Sequence, residues 1–286
     1  MTRIPERVAP GEEAGPGTGP TPVAEIRGGR LRAGCRLAGI AAWTAASFGA
    51  WALGTGFTLL VPRARLRWRH RTVRAWALGV GRLLGMRASV IGTPPRAPFF
   101  LVSNHLSYVD IVLLHGLLDG VFIAKRDMRH WPVLGPLAQL VGTIWVTREV
   151  RRDAVRVLDE IDEAIARGDG VILFPEGTTS AGDGLLPMKP ALLDWAAREQ
   201  FPVHYAAITY TTDPGCAPAH LAVGWWGDMT FGAHAVNLCR LAGFRATVVF
   251  GPEPITAPTR GELARQVQQA IAERFVPWSA LERKAP

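Results

Sequence analysis

The run Phe99-Phe100-Leu101-Val102-Ser103-Asn104-His105-Leu106-Ser107-Tyr108-Val109-Asp110 passes from four apolar residues to a polar loop within two positions. An apolar strand that ends in Asn-His delivers an imidazole to the rim of a sheet, where open α/β folds collect their ligands. In an acyl transfer, a histidine of ordinary pKa, about 6.5, can take a proton from a hydroxyl at neutral pH. A carboxylate on the other ring nitrogen then fixes the tautomer and stabilises the imidazolium. His105 and Asp110 lie five positions apart, which is not a same-face spacing on a regular helix, so the pair requires a turn or a helix entrance between its members. Taken without context, the same spacing also describes a capped helix start or a satisfied polar contact. Ser107 has the residue type of a helix cap and, as the alternative, of a nucleophile.

A second abrupt strand end follows at Val171-Ile172-Leu173-Phe174-Pro175-Glu176-Gly177-Thr178-Thr179-Ser180. Gly177 permits close approach of backbone to a ligand, and the N–H and hydroxyl groups of Thr178, Thr179 and Ser180 suit phosphate or hydroxyl oxygens. Glu176 is placed either to accept from a substrate hydroxyl or to fix the neighbouring loop. Between and beyond these two stretches, apolar runs alternate with helical periods, as an α/β domain requires. The expected strands are 99–102, 121–124, 142–147, 171–174, 203–210 and 246–250. Helices are expected over 151–167, with Val155, Leu158, Ile161 and Ile165 facing inward, over 188–199, and from Thr259, where Glu262 completes a capping box.

The chain has 286 residues and a net charge of +8, with lysine confined to Lys125, Lys189 and Lys284. That balance suits an anionic partner. No zinc-finger, basic-zipper or aromatic RNA-binding pattern accompanies it, so no nucleic acid is expected and a membrane surface fits better. Residues 37–61 carry no charge and as a helix reach about 37 Å, enough to cross a bilayer. Their four glycines and four hydroxyl residues make a bent or half-inserted helix the competing reading. Arginines are denser after this span than before it, which places the downstream domain on the cytoplasmic face of the inner membrane. Residues 68–90 mix Arg with Trp, Leu and Met, as an interfacial or domain-packing helix does. Residues 1–26 read as a disordered leader, 27–90 as membrane-associated helices and 91–286 as the catalytic domain. Three scattered cysteines indicate neither a disulfide framework nor a metal knuckle, and no histidine has ligand spacing, so no metal is expected. Trp225 and Trp226 read as packing or as interfacial anchors.

With both strand ends in view, the chain resembles the lysophospholipid acyltransferases typified by bacterial 1-acylglycerol-3-phosphate acyltransferase. NHLSYVD matches that family's NHxSxxD motif, FPEGTTS its PEGTRS-like motif, and Lys125 with HWPVLGPLAQLVGTIWVTR and then FPVHYAAI its second and fourth blocks. The resemblance covers about residues 68–255. It implies a mixed, largely parallel sheet flanked by helices, with His105 as general base and Asp110 orienting it. It also implies that Asn104, Ser107, Lys125, Arg148, Glu176, Gly177, Thr178, Thr179 and Lys189 line the substrate site. No bound cofactor is implied, because acyl-CoA or acyl carrier protein enters as a co-substrate. The implied acceptor is a lysophospholipid, first of all 1-acylglycerol-3-phosphate, with lyso-ornithine lipid as the alternative; a non-catalytic lipid-binding protein is the reading of another class. The departure that matters is Thr179, where many lysophosphatidate enzymes have arginine, because a threonine cannot fork onto a phosphate dianion.

Overall fold

The computed structural model describes residues 26, 28–58, 60–131, 134–147 and 151–282. The expected leader, apart from Ile26, lies outside them, as does Arg148. In chain order the elements are α1 (Arg30–Phe57), α2 (Pro62–Leu84), β1 (Met86–Ile91), β2 (Phe100–Ser103), α3 (Val109–Leu117), β3 (Gly120–Lys125) and α4 (Leu134–Leu140). There follow β4 (Ile144–Val146), α5 (Arg151–Arg167), β5 (Gly170–Leu173), α6 (Asp194–Arg198), β6 (Val203–Thr211), α7 (Ala219–Ala222), α8 (Phe231–Arg240), β7 (Phe244–Phe250), α9 (Arg260–Ala272) and α10 (Trp278–Glu282).

Seven strands form one sheet in the order β1-β7-β6-β2-β5-β3-β4. All pairings are parallel except β6 with β7. The central strands β2 and β5 are buried along their whole length, as expected of strands covered on both faces. Their C-terminal ends lie side by side, since Val102 pairs with Leu173. The two polar stretches of the sequence therefore leave the sheet next to each other.

Three expectations are corrected. The helix expected over 68–90 stops at Leu84, where Gly85 takes a left-handed conformation at φ 76°, and Met86–Ile91 pairs with β7 as an edge strand. Glycine accepts that conformation without a Cβ penalty, and the helix ends there. The helix expected over 188–199 is a 3₁₀ turn at Pro190–Leu193 followed by the short α6. In α5 the buried stripe runs through Val157, Ile161 and Ala164, while Val155 is 62% exposed, so the inward face is rotated from the expected one. The α9 start falls at Thr259 as expected, and the Thr259 side chain accepts from the Glu262 amide at 3.2 Å, while the Glu262 carboxylate accepts from Gln266 Nε2 at 3.0 Å.

α1 and α2 form an antiparallel hairpin. Trp43 Nε1 donates to the Trp76 carbonyl (3.2 Å), Trp76 Nε1 to Thr44 Oγ1 (3.1 Å), and Trp68 Nε1 to the Trp51 carbonyl (3.3 Å). Two glycines make the close approach possible. A Cβ on Gly54 would come within 2.0 Å of the Trp68 indole, and one on Gly79 within 2.1 Å of Trp43. The hairpin is fastened to the domain at two places, before β7 and before β5. Arg36 donates to the carbonyls of Leu241 (2.6 Å) and Ala242 (3.0 Å) just past α8. The fully buried Asp169, just before β5, accepts from Arg69, from His70 Nε2 (2.7 Å) and from Arg167 Nε (3.3 Å).

Candidate active site

At the end of β2 the main chain turns away from the ladder, and the Asn104 side chain continues it. Its Nδ2 donates to the Ile208 carbonyl at 3.0 Å, and its Oδ1 accepts from the Ile208 amide at 2.7 Å. The carboxamide thus stands in for one more peptide group between β2 and β6. Asn104 is fully buried, so the expectation that it touches substrate gives way to a structural role.

The next residue is His105. Its Nδ1 donates to Asp110 Oδ2 at 2.7 Å, and its ring stacks on Phe174 with centroids 4.0 Å apart and planes 5° from parallel. The histidine side chain is 17% exposed while Asp110 is fully buried. The turn that the spacing requires is the entrance of α3. Asp110 sits in its first turn, and Oδ2 also accepts from the amides of Leu106 (2.8 Å) and Ser107 (3.0 Å). A carboxylate gathering three donors on one oxygen holds both the loop and the ring. With Nδ1 engaged, Nε2 is the nitrogen left to exchange a proton. Ser107 is fully buried and its Oγ accepts from the Val109 amide at 3.3 Å, as a helix-entry cap does.

Glu176 connects the two strand ends. Its Oε1 accepts from the His105 amide (2.9 Å) and its Oε2 from the Leu186 amide (2.9 Å). The Ser180 amide returns a bond to the His105 carbonyl (2.9 Å), and the Lys189 amide one to the Pro175 carbonyl (2.9 Å). Of the two roles open to Glu176, the structure places it in the loop-fixing one. Burial raises its pKa from the ordinary 4.5 to about 6, against the opposing effect of the two amide donors. A carboxyl whose folded pKa is raised contributes stability that is present below the unfolded value and is lost as pH rises through the folded one. The stability of the wild type relative to a Glu176→Gln variant should therefore fall by about 2 kcal/mol between pH 4.5 and pH 7.5. Denaturant titrations of the two proteins at both pH values measure it, and a constant difference would contradict it.

Gly177 has φ 75°, in the region that favours glycine, and its amide donates to the Phe174 carbonyl at 3.1 Å. Thr178 is exposed and Thr179 half-buried on the same loop. Lys125 ends β3 and pairs with Asp127 at 2.8 Å. The Lys189 side chain is exposed, and its amide serves the loop. Trp225 and Trp226 are packing residues. Their indoles donate to the carbonyls of Met229 (2.8 Å) and His220 (2.9 Å), and the Trp225 amide pins the Leu106 carbonyl (2.9 Å).

Three participants were not singled out in the sequence. Phe174 carries the histidine ring, Tyr210 donates to Asp110 Oδ1 at 2.6 Å, and Tyr108 donates to His234 Nδ1 at 3.0 Å. Burial holds His234 down to about 4, so it is neutral at pH 7 and can accept. Phe174 was readable as the residue before Pro175 at a strand end. Tyr210 lies 100 positions from its partner, and no local pattern announces the contact.

A family profile described as acyltransferase matches residues 89–209. The lyso-ornithine lipid O-acyltransferase of Brucella abortus is 36% identical over 75% of this chain and 85% of its own length. A 1-acyl-sn-glycerol-3-phosphate acyltransferase of Neisseria meningitidis is 33% identical over 68% of this chain and 74% of its own. The crystal structure of the 1-acyl-sn-glycerophosphate acyltransferase of Thermotoga maritima superposes with a TM-score of 0.66, covering 91% of this chain and all of that one at 18% identity. That likeness establishes the shared fold.

Proposed function

We propose that this chain, which belongs to the lysophospholipid acyltransferase family and so moves an acyl group onto a lysolipid hydroxyl, uses His105 as its general base and takes lyso-ornithine lipid as its acceptor. The observation that carries the mechanism is the buried Asp110 carboxylate on His105 Nδ1, at the rim where two parallel strands end. Nε2 takes the proton of the acceptor hydroxyl as its oxygen bonds to the carbonyl carbon of an acyl thioester, of coenzyme A or of acyl carrier protein. The tetrahedral adduct collapses with cleavage of the C–S bond, and the imidazolium returns the proton to the departing thiolate. Asp110 stabilises the imidazolium in between. The acceptor supplies the hydroxyl that a serine supplies in a hydrolase, so no acyl-enzyme is formed.

The acceptor reading rests on position 179. Thr179 offers no guanidinium fork for a phosphate dianion, and an ornithine headgroup, with one carboxylate and one ammonium, needs none. The Lys125–Asp127 pair presents one charge of each sign at the end of β3, two strand spacings or about 10 Å from β2. The Brucella relative supports the same acceptor, while the Neisseria relative supports the second reading, 1-acylglycerol-3-phosphate. Purified protein assayed with both lysolipids at matched donor should give at least about tenfold higher kcat/KM with lyso-ornithine lipid, the equivalent of one good charge-assisted bond. Thr179→Arg should raise the relative use of 1-acylglycerol-3-phosphate by a similar factor. Preference of the wild type for the phosphate acceptor would overturn the assignment.

The hairpin supports attachment to the cytoplasmic membrane surface without a full crossing. α1 is long and apolar enough to cross a bilayer by length and composition. Its first half, however, lies along residues 76–84 of α2 and is fastened to the domain by Arg36, and farther on Trp51 meets Trp68, next to the Arg69 and His70 that hold Asp169. Beyond the Trp51–Trp68 contact each arm has only some six residues, roughly 9 Å of helix, against a hydrocarbon core of about 30 Å. Roughly 5–10 Å is the depth of interfacial insertion. At the tip Leu53, Phe57, Leu60 and Val61 are 53–96% exposed, with the exposed Arg63, Arg65 and Arg67 immediately behind for anionic headgroups. Replacing Phe57 and Leu60 together by serine should lower binding to phosphatidylglycerol vesicles at least about tenfold in a sedimentation assay. Unchanged partitioning would exclude the tip as the anchor.

A further inference from the structure

The two oxygens of Asp110 are used unequally. Oδ2 collects the His105 ring and the amides of Leu106 and Ser107, all from its own loop. Oδ1 accepts at 2.6 Å from the hydroxyl of Tyr210, a residue of β6 on the other side of β2. Both side chains are buried, Asp110 completely and Tyr210 to 4% exposure, so water does not share the bond. The contact is also built into the sheet. The Asn104 carboxamide grips the Ile208 peptide on both sides, and Tyr210 stands two residues further along the same strand, on the same face. The Tyr210 ring is fixed edge-on against Phe244 of β7, with centroids 5.9 Å apart.

We propose that Tyr210 is a positioning residue of the acyl transfer, which holds the Asp110 carboxylate in the rotation that presents Oδ2 to His105 and moderates how strongly that carboxylate attracts the imidazolium. The proposal rests on His105 being the base. A hydrogen bond to a carboxylate stabilises its charged form and draws electron density from it. Without the phenol, Oδ1 is a buried anionic oxygen that has lost its donor, and Asp110 becomes the more basic partner of the ring. The imidazolium is then held more tightly, so His105 is free to accept a proton only at higher pH. A donor stronger than tyrosine has the opposite effect. The titratable groups facing the pair are Glu176, from the loop after β5, and Tyr210 itself. Glu176 is common to every protein compared, so a difference between them reports on position 210.

The test is the pH dependence of kcat/KM for lysolipid acylation by wild type, Tyr210→Phe and protein carrying 3-fluorotyrosine at 210, with His105→Ala as the reference. Tyr210→Phe should move the acidic limb up by about half a unit and lower kcat/KM at pH 7 about fivefold, with acceptor KM changed less than twofold. The fluorinated phenol, a stronger donor of nearly the same shape, should move the limb down. A space-filling role would leave the limb in place in both. If Tyr210→Phe does not fold, the fluorotyrosine protein decides alone, and an unmoved limb overturns the proposal. Retained activity in His105→Ala would instead overturn the reading on which it rests.

Discussion

Replacing His105 by alanine is expected to lower kcat by a factor of about 10² to 10⁴ while the protein stays folded. Among the described residues, the imidazole is the one group at the rim whose ring nitrogen is held by a buried carboxylate, which leaves its other nitrogen to exchange a proton. Its contribution to the fold is small by comparison. The links to Glu176 and Ser180 are made by its backbone amide and carbonyl, which alanine keeps. What is lost is the stacking on Phe174, a contact worth about 1 kcal/mol, and the ring's bond to Asp110 Oδ2, which keeps the amides of Leu106 and Ser107 as donors. Turnover measured beside a thermal melt separates the two effects. A folded variant with near-normal turnover would remove His105 from the mechanism.

Asp110→Asn should be nearly as severe, also about 10² to 10⁴ in kcat, for a different reason. Asparagine is close in shape and can still accept from the ring with its one carbonyl oxygen. It carries no charge, so the imidazolium formed during transfer loses its buried counter-ion. Its NH₂ must also replace an oxygen that has a donor facing it, either the Tyr210 hydroxyl or the three donors on Oδ2. The Tyr210 hydroxyl can rotate to accept, which gives the variant a route to fold. Since the two residues act as one unit, the doubly substituted protein should be scarcely worse than His105→Ala alone. Losses that multiply would mean that Asp110 acts independently of the histidine, and steady-state kinetics of the four proteins distinguishes the cases.

The strands that carry the site were legible because each is a short apolar run ended by a polar turn, a pattern that survives without knowledge of its neighbours. β1 was not. Met86–Ile91 is an edge strand with exposed positions that extend the Arg-rich composition of α2, and only Gly85 marks the boundary. The glycines of α1 were readable as a weakening of the apolar span, yet Gly54 is a socket for an indole of α2, a fact that needs the hairpin. At the site, His105 with Asp110 could be read from local spacing. The roles of Asn104 and Glu176 could not, because a polar residue at a strand end looks the same whether it meets a substrate or stitches two loops. Both are stitches here, Asn104 to Ile208 and Glu176 to the amides of His105 and Leu186. Tyr210 is the extreme case, since its contact depends on how β6 is registered beside β2.

Direct transfer within one ternary complex is the centre of this account, and intact-mass analysis of the protein after incubation with acyl donor alone tests it. The wild-type protein should stay unmodified, with acyl groups transferred only when the lysolipid is added. An acyl group on Ser107, or on any other side chain, that forms as fast as turnover and is discharged by adding the lysolipid would contradict it.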